Sequence, residues 1–299
     1  MIDLHLHTIF SDGKITDIGQ VVQNCDVIAI TDHNSIQGCK YFADKMNGRR
    51  LIIGCEVTVD RAPDYLLYIP NIEYSEALEK EFEYIRLSEE AVIKKCYENL
   101  GYNQWDNDIG RAFSKNQKIR NARTRDLAAI IHLYKSGKTY DDGLFEFDDL
   151  KIARKQRWTY AEEVGNPVSE GIALDIAKKH NGKLVLAHPI HTAIKRCPRN
   201  DTTKATIIVK LENLLKKFIE DGGKYLEWEY FSEEHFVKYE LSLNDLEEIR
   251  SIIMKSAKDN ELQFTIGTDS HTLKNYESAL KWLKINEPMI QDRMADWIY

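Results

Sequence analysis

Two histidines lie two residues apart near the start of the chain, at His5 and His7, and Asp12 follows them in a Ser-Asp-Gly turn. The apolar residues around the histidines predict a β-strand, in which side chains at positions i and i+2 point to the same side. Both imidazoles should therefore converge on one point, with the carboxylate just beyond it. Two imidazoles and a carboxylate suit a divalent transition metal. A pair of hydrogen-bonded core histidines is the other interpretation of this segment.

Four later strands are each predicted to carry ionisable residues at their C-terminal ends. The apolar runs 27–31, 51–55, 183–187 and 264–267 are followed by Asp32, His33, Glu56, His188, Asp269 and His271. In parallel α/β barrels, the C-terminal ends of the strands build the active site. One such residue could be an accident of packing. The whole set, together with the first two histidines, indicates a metal centre.

The elements that must position these residues alternate along the chain. Further strands are predicted at 65–69 and 225–230, and helices at 169–179, 204–220 and 243–259, which favours a parallel α/β arrangement. Residues 72–166 differ, because they are charged, helix-like and without clear strands. We therefore predict an α/β domain of residues 1–71 and 167–299, interrupted by a helical insertion over 72–166 in which substrate specificity should lie.

Composition is typical of a globular protein and argues against several functions. The net charge of −7 disfavours broad binding to long duplex nucleic acid, which needs a basic surface. No apolar run is long enough to span a bilayer, and the N-terminus does not resemble a signal peptide. The five cysteines are odd in number and lack Cys-x-x-Cys spacing. We expect a cytoplasmic protein that does not bind membranes, and its oligomeric state is left open.

As an ordered set, the motifs resemble those of the PHP (polymerase and histidinol phosphatase) superfamily. The matching segments are His5-Leu6-His7 with Ser11-Asp12-Gly13, Thr31-Asp32-His33-Asn34, Gly54-Cys55-Glu56, Ala187-His188-Pro189 and Gly267-Thr268-Asp269-Ser270-His271. The resemblance runs from residue 1 to about residue 272. It implies a distorted (β/α)7 barrel, two or three divalent ions (Mn²⁺, Fe²⁺ or Zn²⁺) at its C-terminal mouth, and phosphoester hydrolysis.

The resemblance also implies a role for each predicted site residue. The first metal would be held by His5, His7, Glu56 and Asp269, the second by Glu56 and His188, and the third by Asp12, His33 and His271. Asp32 would orient a histidine or close a turn. Asp269 is the candidate for accepting or steering the proton of the attacking water. His188 or His271 could instead assist the leaving oxygen.

One position departs from the family pattern. Tyr65 stands where the family commonly has a histidine that binds the second metal. Because a neutral phenol is a poor ligand, that ion would be weakly held, completed by water, or bound by Asp64 after a local shift. If Tyr65 faces the site, replacing it with His should raise the affinity for the second metal.

The insertion resembles that of PHP phosphatases that act on nucleotides and short oligonucleotides. Arg123 and Arg125 within it could bind phosphate, because a guanidinium can donate two parallel hydrogen bonds, although exposed surface arginines are the alternative. We expect a metal-dependent phosphoesterase with a small phosphorylated substrate, a nucleotide or a short oligonucleotide. The alternatives are a histidinol-phosphate-type phosphatase, an amidohydrolase-like C–N hydrolase and a catalytically weakened metal-binding module.

Overall fold

Seven strands form one mixed sheet that is nearly closed into a barrel. The computed structural model describes residues 1–57, 64–70, 72–112, 124–137, 146–164, 168–197, 201–232, 235–236 and 239–299. In sheet order, which is also sequence order, the strands are β1 (Ile2–Asp3), β2 (Val27–Ile30), β3 (Arg50–Val57), β4 (Tyr65–Ile69), β5 (Lys183–Leu186), β6 (Tyr225–Glu229) and β7 (Gln263–Gly267). Next to β1 and β7, the amide of Leu4 donates to the carbonyl of Ile266 at 2.9 Å, which brings the two ends of the sheet together. The predicted distorted α/β barrel is confirmed.

Helices connect the strands and cover the sheet. They are α1 (Gly19–Asn24), α2 (Gln37–Phe42), α3 (Glu76–Asn99), α4 (Trp105–Ala112), α5 (Thr124–Ser136), α6 (Phe147–Val164), α7 (Val168–Lys179), α8 (Pro189–Lys195), α9 (Lys204–Glu220), α10 (Leu243–Asp259) and α11 (Leu273–Ile290). Several begin at a hydroxyl residue whose oxygen accepts a backbone N–H of the first turn, namely Ser75, Thr203, Ser242 and Thr272. Among the helices described, none is both long and apolar enough to cross a membrane.

Strand β4 runs opposite to its neighbours. It pairs antiparallel with both β3 and β5, whereas the other strand pairs are parallel. The expectation of a parallel strand at 65–69 was therefore wrong. The seven residues between Val57 and Tyr65 are too few for a helical crossover, which requires about a dozen or more. As a consequence, β4 begins at the end of the barrel where the parallel strands finish.

The buried apolar residues form two separate clusters. The larger fills and surrounds the barrel, and it includes Leu78, Phe82 and Ile85 from the first half of α3. The smaller joins the second half of α3 to α5 and α6, with Ile93 and Leu127 among its members. Helix α3 therefore spans both clusters. A second core of this kind is what an inserted helical subdomain would have, and the boundaries 72–166 stay a prediction.

Candidate metal centre

The predicted ligands meet at the mouth of the barrel. Among the residues described, three groups of side chains could each hold a metal ion, with one donor atom per residue and all donor atoms of a group within 4.8 Å of one another. The groups are His5, His7, Glu56 and Asp269; Glu56, Asp64 and His188; and His7, Asp12, His33 and His271. Each of the eight predicted metal ligands belongs to at least one group.

The first group is the most deeply buried. The Nε2 atom of His7 lies 3.0 Å from Glu56 Oε2 and 3.3 Å from Asp269 Oδ1, and Nε2 of His5 lies 3.3 Å from the same glutamate oxygen. Both histidines and Glu56 are buried, whereas the side chain of Asp269 is 37% exposed. The open side of this group is therefore the aspartate.

The third group uses His7 again and lies nearer to solvent. The Oδ1 atom of Asp12 is 3.6 Å from His33 Nε2 and 3.4 Å from His271 Nε2. The rings of His33 and His271 stack on His7, with centroids 4.7 and 4.3 Å away. His271 Nδ1 lies 3.1 Å from the carbonyl oxygen of Asp269, which leaves Nε2 to face Asp12.

The second group gathers around the other oxygen of Glu56. The Oε1 atom lies 3.0 Å from His188 Nε2, and that nitrogen lies 3.9 Å from Asp64 Oδ2. Glu56 therefore presents Oε2 to the first group and Oε1 to the second. A carboxylate whose two oxygens face different ligand groups can bridge two ions.

The electrostatics of the cluster favour ionised carboxylates. Burial opposes ionisation of Glu56, but His33, His188 and the other histidines outweigh it and hold the pKa of Glu56 well below its usual range. Burial likewise disfavours the charged form of His7, yet hydrogen bonds to Asp269 and Glu56 raise its pKa to about 10. The cluster thus supplies anionic oxygens, and its imidazoles would release protons to bind a cation.

The donor set fits divalent metal ions. Each group combines imidazole nitrogen with carboxylate oxygen, which are the ligands that first-row divalent ions accept. Buried carboxylates also need a compensating positive charge. Once the histidines are neutral, a bound cation would supply it. The number and identity of the ions remain a prediction.

Comparison with known proteins identifies the family of the chain. The sequence matches the PHP domain family over residues 3–229, which is most of the chain. This chain belongs to the PHP domain family. No curated protein matches the sequence significantly.

Two solved structures share the fold of this PHP protein. A provisionally assigned metal-dependent phosphoesterase from Bifidobacterium adolescentis ATCC 15703 is 19% identical, with a TM-score of 0.55 over 99% of this chain and 96% of that one. An amidohydrolase from Chromobacterium violaceum, with bound sulfate and no metal, is also 19% identical, with a TM-score of 0.51 over 91% of this chain and 87% of that one. At this identity the two structures establish the fold.

The backbone of this PHP protein is strained at two of the ligands. His188 and Asp269 have positive φ angles of 29° and 49°. Non-glycine residues adopt such conformations at an energetic cost that the surrounding structure must offset, and they concentrate at functional sites. Each lies two residues beyond the end of its strand, at the mouth where the ligand groups meet.

Two buried glutamates on β6 were missed by the sequence reasoning. Glu227 lies 2.7 Å from His5 Nδ1 through Oε1, and its Oε2 accepts the backbone amide of His188 at 2.7 Å. Glu229 accepts the amide of Ile190 and lies 2.6 Å from His191 Nδ1, which fixes the start of α8. The available signal was two acids at alternating positions of an otherwise apolar strand, which places both on one face.

Asp32 supports the ligands without belonging to a ligand group. It is fully buried and accepts three hydrogen bonds of 2.7 Å, from the amide and hydroxyl of Thr8 and from the hydroxyl of Ser11. These bonds close the turn between His7 and Asp12. Its position agrees with the expectation that Asp32 closes a turn.

Tyr65 does not face the site. It pairs with Val57 on β3 and Leu186 on β5, and it lines a cavity of about 600 Å³ outside the sheet together with Ala177 and Phe218. The expectation that Tyr65 occupies a ligand position was wrong, because its side chain lies on the opposite face of β4. The adjacent residue, Asp64, is the one that reaches the second group.

Basic side chains border the mouth. The guanidinium of Arg125, at the start of α5, donates from Nη1 to Asp12 Oδ2 at 2.8 Å, and its side chain is 50% exposed. On α8, Lys195 Nζ lies 3.6 Å from Asp64 Oδ2, and Arg154 of α6 is near enough to influence it electrostatically. Arg123, the other predicted phosphate-binding residue, lies outside the described residues.

Proposed function

We propose that this PHP protein is a metal-dependent phosphoesterase that hydrolyses phosphate esters of nucleotides or short oligonucleotides. The observation that carries the proposal is that three adjoining ligand groups and several basic side chains lie at the same mouth. The first group shares His7 with the third and Glu56 with the second. A substrate with both an ester phosphorus to be attacked and further negative charge fits this combination.

Arg125 is the residue we assign to substrate phosphate. It reaches the mouth from the helical segment and is half exposed, so a substrate phosphate could replace Asp12 as its partner. An arginine holds phosphate through two parallel hydrogen bonds, which also fixes orientation. The neighbouring charges of Lys195 and Arg154 would raise the local concentration of an anionic substrate.

Bound divalent ions would lower the pKa of coordinated water and neutralise charge on the phosphoryl oxygens. The chain's own contribution is to place a hydrogen-bond acceptor beside that water. Asp269 is the most exposed member of the first group, and the adjacent histidines hold its pKa well below its usual range although burial opposes this. Because Asp269 is ionised and lies at the open side of the group, we assign it to accept a hydrogen bond from the water and so to steer the proton that the water loses.

The histidines are less suited to assist the leaving oxygen. His271 faces the carbonyl of Asp269 with Nδ1 and Asp12 with Nε2. His188 faces Glu56 with Nε2, and its Nδ1 lies 3.5 Å from the hydroxyl of Thr192. Neither has an uncommitted nitrogen directed at the open mouth, which leaves the leaving oxygen to solvent or to the substrate-binding side chains.

The alternative functions are less consistent with the charges at the mouth. An amidohydrolase-like C–N hydrolase would share the fold and the ligands, but a neutral amide would have no use for Arg125 and Lys195. A catalytically weakened module is disfavoured, because Asp64 completes the second ligand group. Histidinol phosphate would satisfy the same chemistry with fewer charges, so it belongs among the substrates to test.

The test is release of phosphate and nucleoside by the purified protein with Mn²⁺. The substrates are nucleoside monophosphates, a nucleoside 3′,5′-bisphosphate, a dinucleotide and histidinol phosphate, with amide substrates as the contrasting class. We expect metal-dependent release from a nucleotide or dinucleotide, and its loss in His188→Ala. Hydrolysis of amides alone would overturn the proposal.

The role of Arg125 is tested separately. Arg125→Gln should raise KM for the preferred substrate by about tenfold or more, since a charged hydrogen bond contributes about 1.5–3 kcal/mol. Lys95→Gln is the matched control, because Lys95 is an exposed cation on α3 that pairs with Glu98. Equal KM values in the two variants would remove Arg125 from the substrate site.

A further inference from the structure

We propose that Asp64 is a ligand of the second metal ion and that its carboxylate shifts the selectivity of this site toward Mn²⁺, relative to the imidazole-rich third group. The inference deepens the proposed function and rests on its metal centre, but it does not depend on which substrate is hydrolysed. It concerns a residue that the sequence offered only as one of several ways to complete the second metal site.

The reversed direction of β4 carries Asp64 to the mouth. Because β4 begins where the parallel strands end, the residue just before it lies beside Glu56 and His188. The backbone ladder continues through this residue, since the carbonyl of Asp64 accepts the amide of Ala187 at 3.1 Å. Side chains alternate along such a ladder, so Asp64 faces the barrel mouth and Tyr65 faces the outside.

The distances agree with shared coordination. Ligand atoms about 2.1 Å from one ion lie about 3 Å apart when they are at right angles and about 4 Å apart when they are opposite. His188 Nε2 lies 3.0 Å from Glu56 Oε1 and 3.9 Å from Asp64 Oδ2. These two spacings match ligand atoms around one ion, and all three donor atoms lie within 4.8 Å of one another.

The charge of Asp64 is already balanced in the folded chain. The ammonium of Lys195 lies 3.6 Å from its Oδ2, on a side chain that is 52% exposed. A carboxylate in place of a neutral ligand adds one negative charge to the centre, and this cation offsets it. Because half of the Lys195 side chain is exposed, its ammonium can turn toward solvent when a metal ion takes its place beside Asp64.

The second group differs in chemistry from the third. It offers two carboxylates and one imidazole, whereas the third offers three imidazoles and one carboxylate. Oxygen-rich sites suit Mn²⁺ and Mg²⁺, and imidazole-rich sites suit Zn²⁺ and Fe²⁺. The centre is therefore expected to discriminate between ions at different positions, with Asp64 as the determinant at the second position.

The test counts bound Mn²⁺ in metal-free protein, using the EPR signal of free Mn²⁺ during a titration. Asp64→Asn should bind one Mn²⁺ at least about tenfold more weakly, because even partners one step removed from a metal contribute about 10–100-fold. Tyr65→Phe is the matched control, since it alters the adjacent side chain on the other face, and it should titrate like the parent. Unchanged Mn²⁺ binding in Asp64→Asn would overturn the proposal.

A second variant tests the preference between ions. Asp64→His restores an imidazole at the mouth, so the ratio of Zn²⁺ to Mn²⁺ affinity at this site should rise, as measured by Zn²⁺ displacement of bound Mn²⁺. An unchanged ratio would refute the assigned selectivity.

Circular dichroism of the metal-free variants verifies folding. If Asp64→Asn binds one Mn²⁺ fewer but the parent protein hydrolyses no phosphate ester, this proposal stands and the proposed function is rejected.

Discussion

At the scale of single residues, His7 is the most consequential ligand. It belongs to both the first and the third group, and its Nε2 atom lies within 3.3 Å of Glu56 and Asp269. The rings of His33 and His271 stack on it. Removing this one imidazole would therefore disturb two metal positions, while most other ligands serve a single group.

His7→Ala should abolish turnover and reduce the number of tightly bound ions, because both groups lose a donor. The fold should persist, since the segment is held by backbone bonds such as that from the amide of His7 to Ser270. Elemental analysis after dialysis measures the ions, and thermal unfolding measures the fold. Normal activity in this variant would reject the metal-site assignment.

Glu227 acts on the centre through His5. Its carboxylate orients the imidazole from the side opposite the metal group. Glu227→Gln should lower metal affinity at the first group by about 10–100-fold, the usual effect of losing such a partner, without deleting a ligand. Isothermal titration with Mn²⁺ measures it. Affinity equal to the parent would mean that His5 is oriented by packing alone.

At the scale of elements, the helical segment is joined internally by a buried ion pair. Arg157 of α6 donates to both oxygens of Glu89 on α3, at 2.9 and 2.7 Å, and its side chain is buried. The structure commits this guanidinium to a carboxylate, so it is not available for a substrate phosphate.

Arg157→Met should lower the free energy of unfolding by about 3–5 kcal/mol, because it removes a guanidinium that donates two hydrogen bonds to a buried carboxylate. Urea denaturation measures the loss. The double variant Arg157→Met/Glu89→Leu removes both charges and should recover part of the stability. A double variant that is less stable than Arg157→Met would show that the pair is needed for more than mutual neutralisation.

At the scale of the whole molecule, the metal centre ties distant parts of the barrel together. Its ligands come from the N-terminal segment, from β3, and from the turns after β2, β5 and β7. An ion that binds these residues only in the folded state stabilises that state by mass action. Chelation should therefore weaken the entire barrel rather than one loop.

Addition of Mn²⁺ at 100 times its Kd should stabilise the protein by about 2.7 kcal/mol for each ion, which corresponds to a Tm increase of several degrees for a domain of this size. Thermal unfolding with EDTA and with Mn²⁺ measures the difference. The His7→Ala variant should show a smaller increase than the parent. A Tm that is independent of metal would contradict binding to the folded state.

The sequence by itself determined the strand ends and the types of residue on them. His5, His7, Glu56, His188 and Asp269 were predictable because strand periodicity is local and each residue adjoins a short apolar run. The position of these ends at one mouth followed from the parallel order of most strands. The distorted barrel was predictable from the resemblance of the ordered motifs to the PHP superfamily, whereas the strand pattern alone indicated a parallel α/β arrangement.

Only the tertiary structure decided the direction of β4, and with it which residue completes the second group. An apolar run has the same periodicity whichever way it runs, so Tyr65 and Asp64 could not be ranked from the sequence. The contacts of Glu227 with His5 and of Arg125 with Asp12 could not be predicted either, because each joins residues more than 100 positions apart in the sequence. The local sequence pattern predicts which side chains lie on a strand and at its end. The pairing of strands that are distant in the sequence decides where in the barrel those side chains lie.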